Sequence, residues 1–347
     1  MPEGPEVRRA ADALHDALAG QTITAFSART KAAKAWLEAR PDVFPGRTVA
    51  RVWSHGKILV GQTEPDAAGE SAFFSSHFMM WGRWHVVDPA DDIAVTRDRR
   101  ERARIETADA VAVLFSAPVF EVGTGDPYAG VAHLPTLGPD VLPLGGAPYG
   151  VAEVRRRMAA TPERTVGAVL LDQTVLAGVG NYLRAEILWQ CRIDPWRAVG
   201  ELTPDEWDCL EREIPRVCGL AYRESGRTVS EPEQLRMHEP GMTYNAPQDW
   251  STRHAVFRRT NLPCLRCGAP VRQKRQTTRE DATGENGGDK ERIIYFCAVC
   301  QDTTVALPPA KPRALVPADA ADRASESDAL DVPDGEGAAH EHDDPDA

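Results

Sequence analysis

Two cysteine pairs constrain this chain more than any other feature. Cys264-Leu-Arg-Cys267 and Cys297-Ala-Val-Cys300 are C-x-x-C knuckles separated by 29 residues. Two such knuckles offer four thiolates to one tetrahedral Zn²⁺, so they imply one structural zinc ion in a zinc ribbon. Structural zinc contributes about 10–16 kcal/mol in small fingers, enough to fold a segment poor in apolar residues. The polar, Gly-rich text between the knuckles, TTREDATGENGGDKE, reads as a looped insertion. Two redox dithiols are the rival reading. Cys191, Cys209 and Cys218 lie scattered through helical text and are expected as buried thiols in a reducing compartment. The chain holds no run of 18 apolar residues and its N-terminus lacks an apolar signal region, so a cytoplasmic protein without a membrane span is expected.

The formal net charge of −12 argues against a nucleic-acid partner only until it is divided. Residues 301–347 hold twelve acids and three bases, a net of −9, which leaves −3 for residues 1–300. Residues 253–279 carry eight Arg or Lys and no acid. Contact with phosphate depends on local charge, so this balance leaves DNA open as a partner.

Along the chain, Val7, Ala11, Leu14 and Leu18 recur at the spacing of one buried helical face, and Gly20 ends that helix. From about residue 21 to 122 the text reads as strands, with Val111, Val113 and Phe115 alternating in one of them. A Pro/Gly-rich connection, LPTLGPDVLPLGGAPYG, separates this part from helical text. There Thr161-Pro162 reads as a cap and first turn, and Thr203-Pro204-Asp205-Glu206 and Ser230-Glu231-Pro232-Glu233 fit the capping box. From about residue 306 the composition is too poor in large apolar residues to order itself, and a disordered acidic tail is expected.

Two stretches carry chemistry besides the cysteines. AVLLDQTVLAGVGNYLRAEILW reads as a helix, a turn containing Gly178-Val179-Gly180, and a second helix from Asn181. Glycines let a backbone approach a ligand closely, and free N–H groups at a helix start favour phosphate. Asn181 is placed to cap the second helix and to donate its amide to a phosphate oxygen. A tight interhelical turn explains the same text without a ligand. The chain also opens MPEGPEV, with Pro2, Glu3 and Glu6 at an end that ordinarily frays.

In this order, PEGPEVRRAADAL, SHGK, LGPDVL, GVGNYLRAEILW and the four cysteines resemble the formamidopyrimidine-DNA glycosylase/endonuclease VIII family over roughly residues 1–305. PEGPE, NYLRAEIL and SAPVFEV are more similar to the endonuclease VIII branch. The resemblance implies an α+β fold. It divides the chain into an N-terminal helix plus β-sandwich catalytic domain (residues 1–138), a helix–two-turn–helix domain (150–252) and a zinc ribbon (253–305). The acidic tail (306–347) lies outside it. The implied activity is that of a bifunctional DNA glycosylase and apurinic/apyrimidinic lyase of base-excision repair that acts on oxidised pyrimidines in damaged duplex DNA. A monomer associated with the nucleoid is expected, with no protein partner inferable.

The same resemblance assigns the residues. Pro2, freed of Met1, is the secondary amine that attacks C1′ and forms an iminium, the relative of a lysine Schiff base. Glu3 is the general acid. Glu6 supports the site, or is a solvated first-turn acid. Lys57 contacts the phosphate near the lesion and donates a proton. Arg292 offers its planar fork to the same phosphate, with Lys290 as the alternative. Met79, Met80 and Trp81 fill the gap left by the extruded nucleotide, though each also reads as a core residue. Met79 stands where the branch usually carries Gln, and the Arg that the branch carries before GPDVL is missing, with Thr136 near its place, which leaves lesion and opposite-base preference open. His77 contacts a phosphate or is a buried structural histidine. Oxidised purines as substrates, and a zinc-ribbon DNA-binding protein without catalysis, are the alternatives.

Overall fold

The computed structural model describes residues 2–95, 97–143, 149–243, 252–279 and 290–310. The first helix, α1 (Gly4–Leu18), buries Val7, Ala11, Leu14 and Leu18 along one stripe. A reciprocal capping box between Glu3 and Glu6 starts it, with Pro5 in the first turn, and Gly20 follows it at φ +78°.

Eight strands then form two antiparallel sheets. They are β1 (Ala25–Ala28), β2 (Val49–His55), β3 (Ile58–Thr63), β4 (Ala72–His77), β5 (Arg83–Val87), β6 (Glu101–Glu106), β7 (Val111–Phe115) and β8 (Val119–Thr124). One sheet has the order β1-β6-β7-β5 and the other β2-β3-β4-β8. Between them, Phe74, Phe120, Ile105 and Leu114 pack with the buried stripe of α1 into one core. The strand text is interrupted by a helix not expected from the sequence, α2 (Lys31–Glu38), and by the single turn α3 (Asp92–Val95), and the single turn α4 (Pro127–Gly130) follows β8. KAAKAWLE is built of strong helix formers, which outweigh its strand-rich surroundings. Strand β7 is buried on both faces rather than alternating, because Val111, Val113 and Phe115 pack on Val87 and Ile93 while Ala112 and Leu114 face the main core.

The helical part comprises α5 (Val151–Ala159), α6 (Val166–Val169), α7 (Asn181–Cys191), α8 (Pro204–Arg223) and α9 (Glu231–Met237). Thr203 and Ser230 cap α8 and α9 through the boxes read from the sequence. Thr161-Pro162 starts no helix: the chain turns there, with Arg164 N–H donating to Thr161 O at 3.2 Å, and the next helix begins at Val166. Cys191 and Cys209 are not free thiols. They form a disulfide between α7 and α8, whose side-by-side packing brings the two Cα atoms to 5.6 Å, while Cys218 is free and buried.

The last element is a hairpin of β9 (Arg272–Arg279) and β10 (Lys290–Phe296), paired in antiparallel register. Ile294 and Phe296 sit in the core of the helical part, so hairpin and helices share one hydrophobic cluster. Most of the looped insertion and residues 311–347 of the expected tail lie outside the described residues, as does the side chain of Lys290. Among the described residues, no helix is long and apolar enough to cross a membrane.

Candidate active site

Three remote segments meet at the Gly178 turn. Gly4 N–H donates to Gly178 O at 2.8 Å. The β2–β3 hairpin turns through Gly56 (φ +57°) and Lys57, and a Cβ on Gly56 would lie 2.8 Å from Ala177 Cβ and 3.0 Å from Gly178 N. Gly178 itself adopts φ +109°, a region that L side chains rarely tolerate. These glycines let the chain's start, the Lys57 hairpin and the interhelical turn approach with backbone against backbone.

Glu3 occupies the junction. Its carboxylate accepts from Gly180 N–H and Tyr182 N–H at 2.8 Å each, and from Leu183 N–H at 3.3 Å. The residue that caps α7 is therefore Glu3, from the other end of the chain, and not Asn181. Asn181 is the first helical residue after the Gly180 cap, and its Oδ1 accepts from Arg184 Nη2 at 2.7 Å. An anion at a helix N-terminus is favoured by the unpaired N–H groups and the helix dipole. Burial nevertheless dominates: Glu3 is 1% exposed, and desolvation pushes its pKa up to about 7 against the opposing pull of Lys57 and of the Tyr182 and Leu183 amides. A carboxyl so poised can give or take a proton near neutrality. Half-buried Pro2 precedes it directly.

Glu6 is not a solvated acid. It accepts from Glu3 N–H at 2.9 Å and from the Tyr182 hydroxyl at 3.1 Å on both carboxylate oxygens, which fixes the backbone that follows Pro2. Lys57 is half-buried, and burial lowers its pKa, with Glu3 opposing and Arg184 and Arg292 adding to the fall. These four charges thus form one electrostatic neighbourhood. Arg292 is exposed on β10, in register with Gln276 of β9.

Arg184 and Gln276 are participants that sequence reasoning missed. Arg184 is fully buried and donates to Gly167 O, Gln276 Oε1, Asn181 Oδ1 and Ile293 O. Gln276 in turn donates to Thr165 Oγ1 and Pro195 O. The pair binds the hairpin that carries Arg292 to the helices that carry Asn181, and burial holds Arg184 down to about 9. Its signal was an Arg inside NYLRAEILW, a helix otherwise apolar on most faces, where a charge must find partners.

His77 ends β4 and pairs in register with Ile58, beside Lys57. It is half-buried, its Nδ1 accepts from Met79 N–H at 3.1 Å, and burial, then Lys57 and His133, lower its pKa. The loop that follows closes through Gly82 N–H to Phe78 O at 2.8 Å. Phe78 is buried, whereas Met79, Met80 and Trp81 are 50%, 52% and 74% exposed, so none of the three is a core residue. They form an apolar tip next to the cationic cluster.

The four knuckle cysteines lie together at the base of the β9–β10 hairpin. All four Sγ atoms are within 4.8 Å of one another. Tetrahedral thiolates at about 2.3 Å from a zinc ion lie roughly 3.8 Å apart, so the donor set fits such a metal. Trp189 Nε1–H and Cys300 N–H donate to Cys264 Sγ and Cys297 Sγ at 3.3 and 3.4 Å, contacts that favour the thiolate form.

Comparison with known proteins gives consistent matches. Residues 1–118 match the formamidopyrimidine-DNA glycosylase N-terminal domain, and residues 137–232 match the formamidopyrimidine-DNA glycosylase H2TH domain. Endonuclease 8 of Pectobacterium atrosepticum is 32% identical over 307 residues, covering 87% of this chain and 100% of that protein. Endonuclease 8 of Escherichia coli K12 (DH10B) is 30% identical with the same coverage. Among solved structures, the Lactococcus lactis Fpg in complex with DNA containing an abasic site superposes with a TM-score of 0.66 at 20% identity. That match covers 87% of this chain and 100% of that one. The same protein bound to DNA containing an oxidised pyrimidine superposes with a TM-score of 0.65 at 20% identity, again over 87% of this chain and 100% of that one.

Proposed function

The chain belongs to the formamidopyrimidine-DNA glycosylase/endonuclease VIII family, and we propose from that premise that Pro2 is its nucleophile and Glu3 its general acid. It is a DNA glycosylase with apurinic/apyrimidinic lyase activity, working in base-excision repair on DNA. Names of the curated relatives support the endonuclease VIII branch, and with it oxidised pyrimidines as substrates.

The observation that carries the mechanism is the clamp on Glu3. The Gly180 cap amide and two α7 amides hold its carboxyl next to Pro2, in a setting that raises its pKa to about 7. Once Met1 is removed, the Pro2 nitrogen attacks C1′ of the extruded nucleotide and the base departs. The Glu3 proton passes to the ring oxygen, and the sugar opens. The resulting iminium is cationic at any pH because a secondary amine formed it. It draws electrons from C2′, so a C2′ proton leaves and the 3′-phosphate is expelled by β-elimination. A second elimination, through the 5′-phosphate, releases the sugar remnant. Glu6 positions Pro2 and Glu3 by holding the Glu3 amide.

Lys57, Arg292, Asn181 and His77 take the phosphates flanking the lesion, and Lys57 also serves as a proton donor. Met79, Met80 and Trp81 enter the vacated stack. Zinc on Cys264, Cys267, Cys297 and Cys300 would hold the hairpin that presents Arg292, a structural role. We divide the chain as the motifs suggest: catalytic residues 1–138, helix–two-turn–helix residues 150–252, zinc-ribbon residues 253–305 and the tail from 306. We assign the protein to the cytoplasm and nucleoid as a monomer.

Borohydride trapping tests this reading. Incubated with duplex DNA containing an abasic site and then reduced, the native chain is expected to give a covalent adduct whose proteolytic fragments carry the sugar on the Pro2 nitrogen, and Pro2→Gly, left with a primary amine, a diminished one. An adduct mapped to any residue other than Pro2 in the native chain defeats the nucleophile assignment. Cleavage of 8-oxoguanine duplex equal to or faster than that of thymine-glycol duplex defeats the branch assignment.

A further inference from the structure

The chain's own acidic end provides the inference. Residues 301–308 are held at five points on the hairpin and the segment that follows α7. Gln301 Nε2 donates to Ile193 O at 2.9 Å and Thr303 Oγ1 to Asp194 at 3.0 Å, while Leu307 packs on the helical core. Two cations of β9 hold the backbone beyond: Lys274 Nζ donates to Ala306 O at 3.1 Å, and Arg272 Nη2 donates to Pro308 O. Lys274 lies opposite Ile294 in the hairpin register, two positions from Arg292. The remaining residues, 311–347, therefore leave from a fixed point on the cationic hairpin itself.

Their charge matches what they leave from. Residues 311–347 contain eleven acids and three bases, a net of −8 with histidine neutral, and residues 253–279 contain eight bases and no acid. Even a small fraction of an extended length of roughly 120 Å spans the hairpin, so reach sets no limit. Tethering raises the local concentration of such a segment to the millimolar range. The curated relatives align end to end with 87% of this chain, so they hold no counterpart to the rest.

We propose that residues 311–347 occupy the basic face of the β9–β10 hairpin that carries Arg272, Lys274 and Arg292, in competition with the phosphate backbone of undamaged DNA. The inference rests on the proposed DNA-binding role of that face. Its consequence is discrimination: non-specific binding, which is almost wholly electrostatic, is suppressed, while a lesion that forms a covalent bond to Pro2 still displaces the tail.

The experiment uses the full chain, a chain ending at Ala310, and a full-length variant combining Glu326→Gln, Asp328→Asn, Asp331→Asn, Asp334→Asn and Glu336→Gln. Binding to an undamaged fluorescent 20-base-pair duplex is measured across salt concentrations. The shortened chain is expected to bind about tenfold tighter at 50 mM salt and within twofold at 300 mM, where exposed charges are screened, giving a steeper salt slope. The neutralised variant is expected to follow the shortened chain. A peptide of residues 311–347 added to the shortened chain without DNA is expected to bind at 50 mM salt and to be released at 300 mM. Equal affinities and slopes for the full and shortened chains overturn the proposal. So does a neutralised variant that behaves as the native chain, or a peptide that does not bind. Failure of every form to bind DNA, with the peptide still bound, counts against the DNA reading and not against the docking of the tail.

Discussion

A carboxyl that ionises near pH 7 changes its charge under ordinary working conditions, and Glu3 is such a group. Its proton is present below pH 7 and lost above it, so base excision is expected to fall about tenfold per pH unit above roughly 7. Nicking of a pre-formed abasic duplex needs no base to depart, and its sugar opens to the aldehyde spontaneously, so this reaction is expected to show a weaker limb. Glu3→Gln should accordingly lose base excision by about a hundredfold or more while still nicking abasic DNA. Comparing thymine-glycol and abasic duplexes across pH checks both statements. The same shift affects stability. Between pH 4.5 and about 7 the folded chain binds the Glu3 proton more tightly than the unfolded chain does, so this group's contribution declines as pH rises through that window. Gly180→Ala places a methyl group against the Glu3 carboxyl and is expected to cost about 1–3 kcal/mol in a denaturant titration, together with base excision. Glu3 and Lys57 were legible because their motifs stand in a recognisable order. For Arg184 the local text announced only a charge in need of partners, since its bond to Gln276 spans 92 positions.

At the scale of elements, α7 is the hub: Glu3 meets its first turn, Arg184 its middle and Cys191 its last residue. Arg184→Met would strip donors from Gly167 O, Gln276 Oε1 and Ile293 O. A loss of about 2 kcal/mol or more is expected from those buried acceptors. The hairpin bearing Arg292 would loosen with it, so weaker duplex binding in a gel-shift titration should accompany the lower Tm. The disulfide that closes α7 onto α8 spans 18 positions, and a loop of that length corresponds to about 3 kcal/mol in the chain-entropy account. Cys209→Ser is expected to lower Tm under non-reducing conditions and to match the native chain in reductant. Helix starts were readable because a capping box is local chemistry, whereas α2 and the disulfide were not. The first was hidden by neighbouring strand text, and the second depends on the distance between two helices rather than on spacing in the sequence.

Across the whole molecule, the active site belongs to no single segment. Its parts come from the chain's start, a sandwich hairpin, an interhelical turn and a hairpin near residue 292. Sequence order revealed which parts exist, and only tertiary contact revealed that they meet. Elemental analysis is expected to find one zinc per chain, and its removal by a chelator, or Cys264→Ser, should weaken duplex binding at least tenfold by freeing the hairpin. Because residue 3 finishes its pocket only with the amides of residues 180, 182 and 183, the proposed nucleophile leaves the ribosome long before the proposed proton donor is in place. On the proposed chemistry, a nascent or prematurely ended chain would carry that amine without the means to release a base, and excision would begin only once synthesis had passed residue 183.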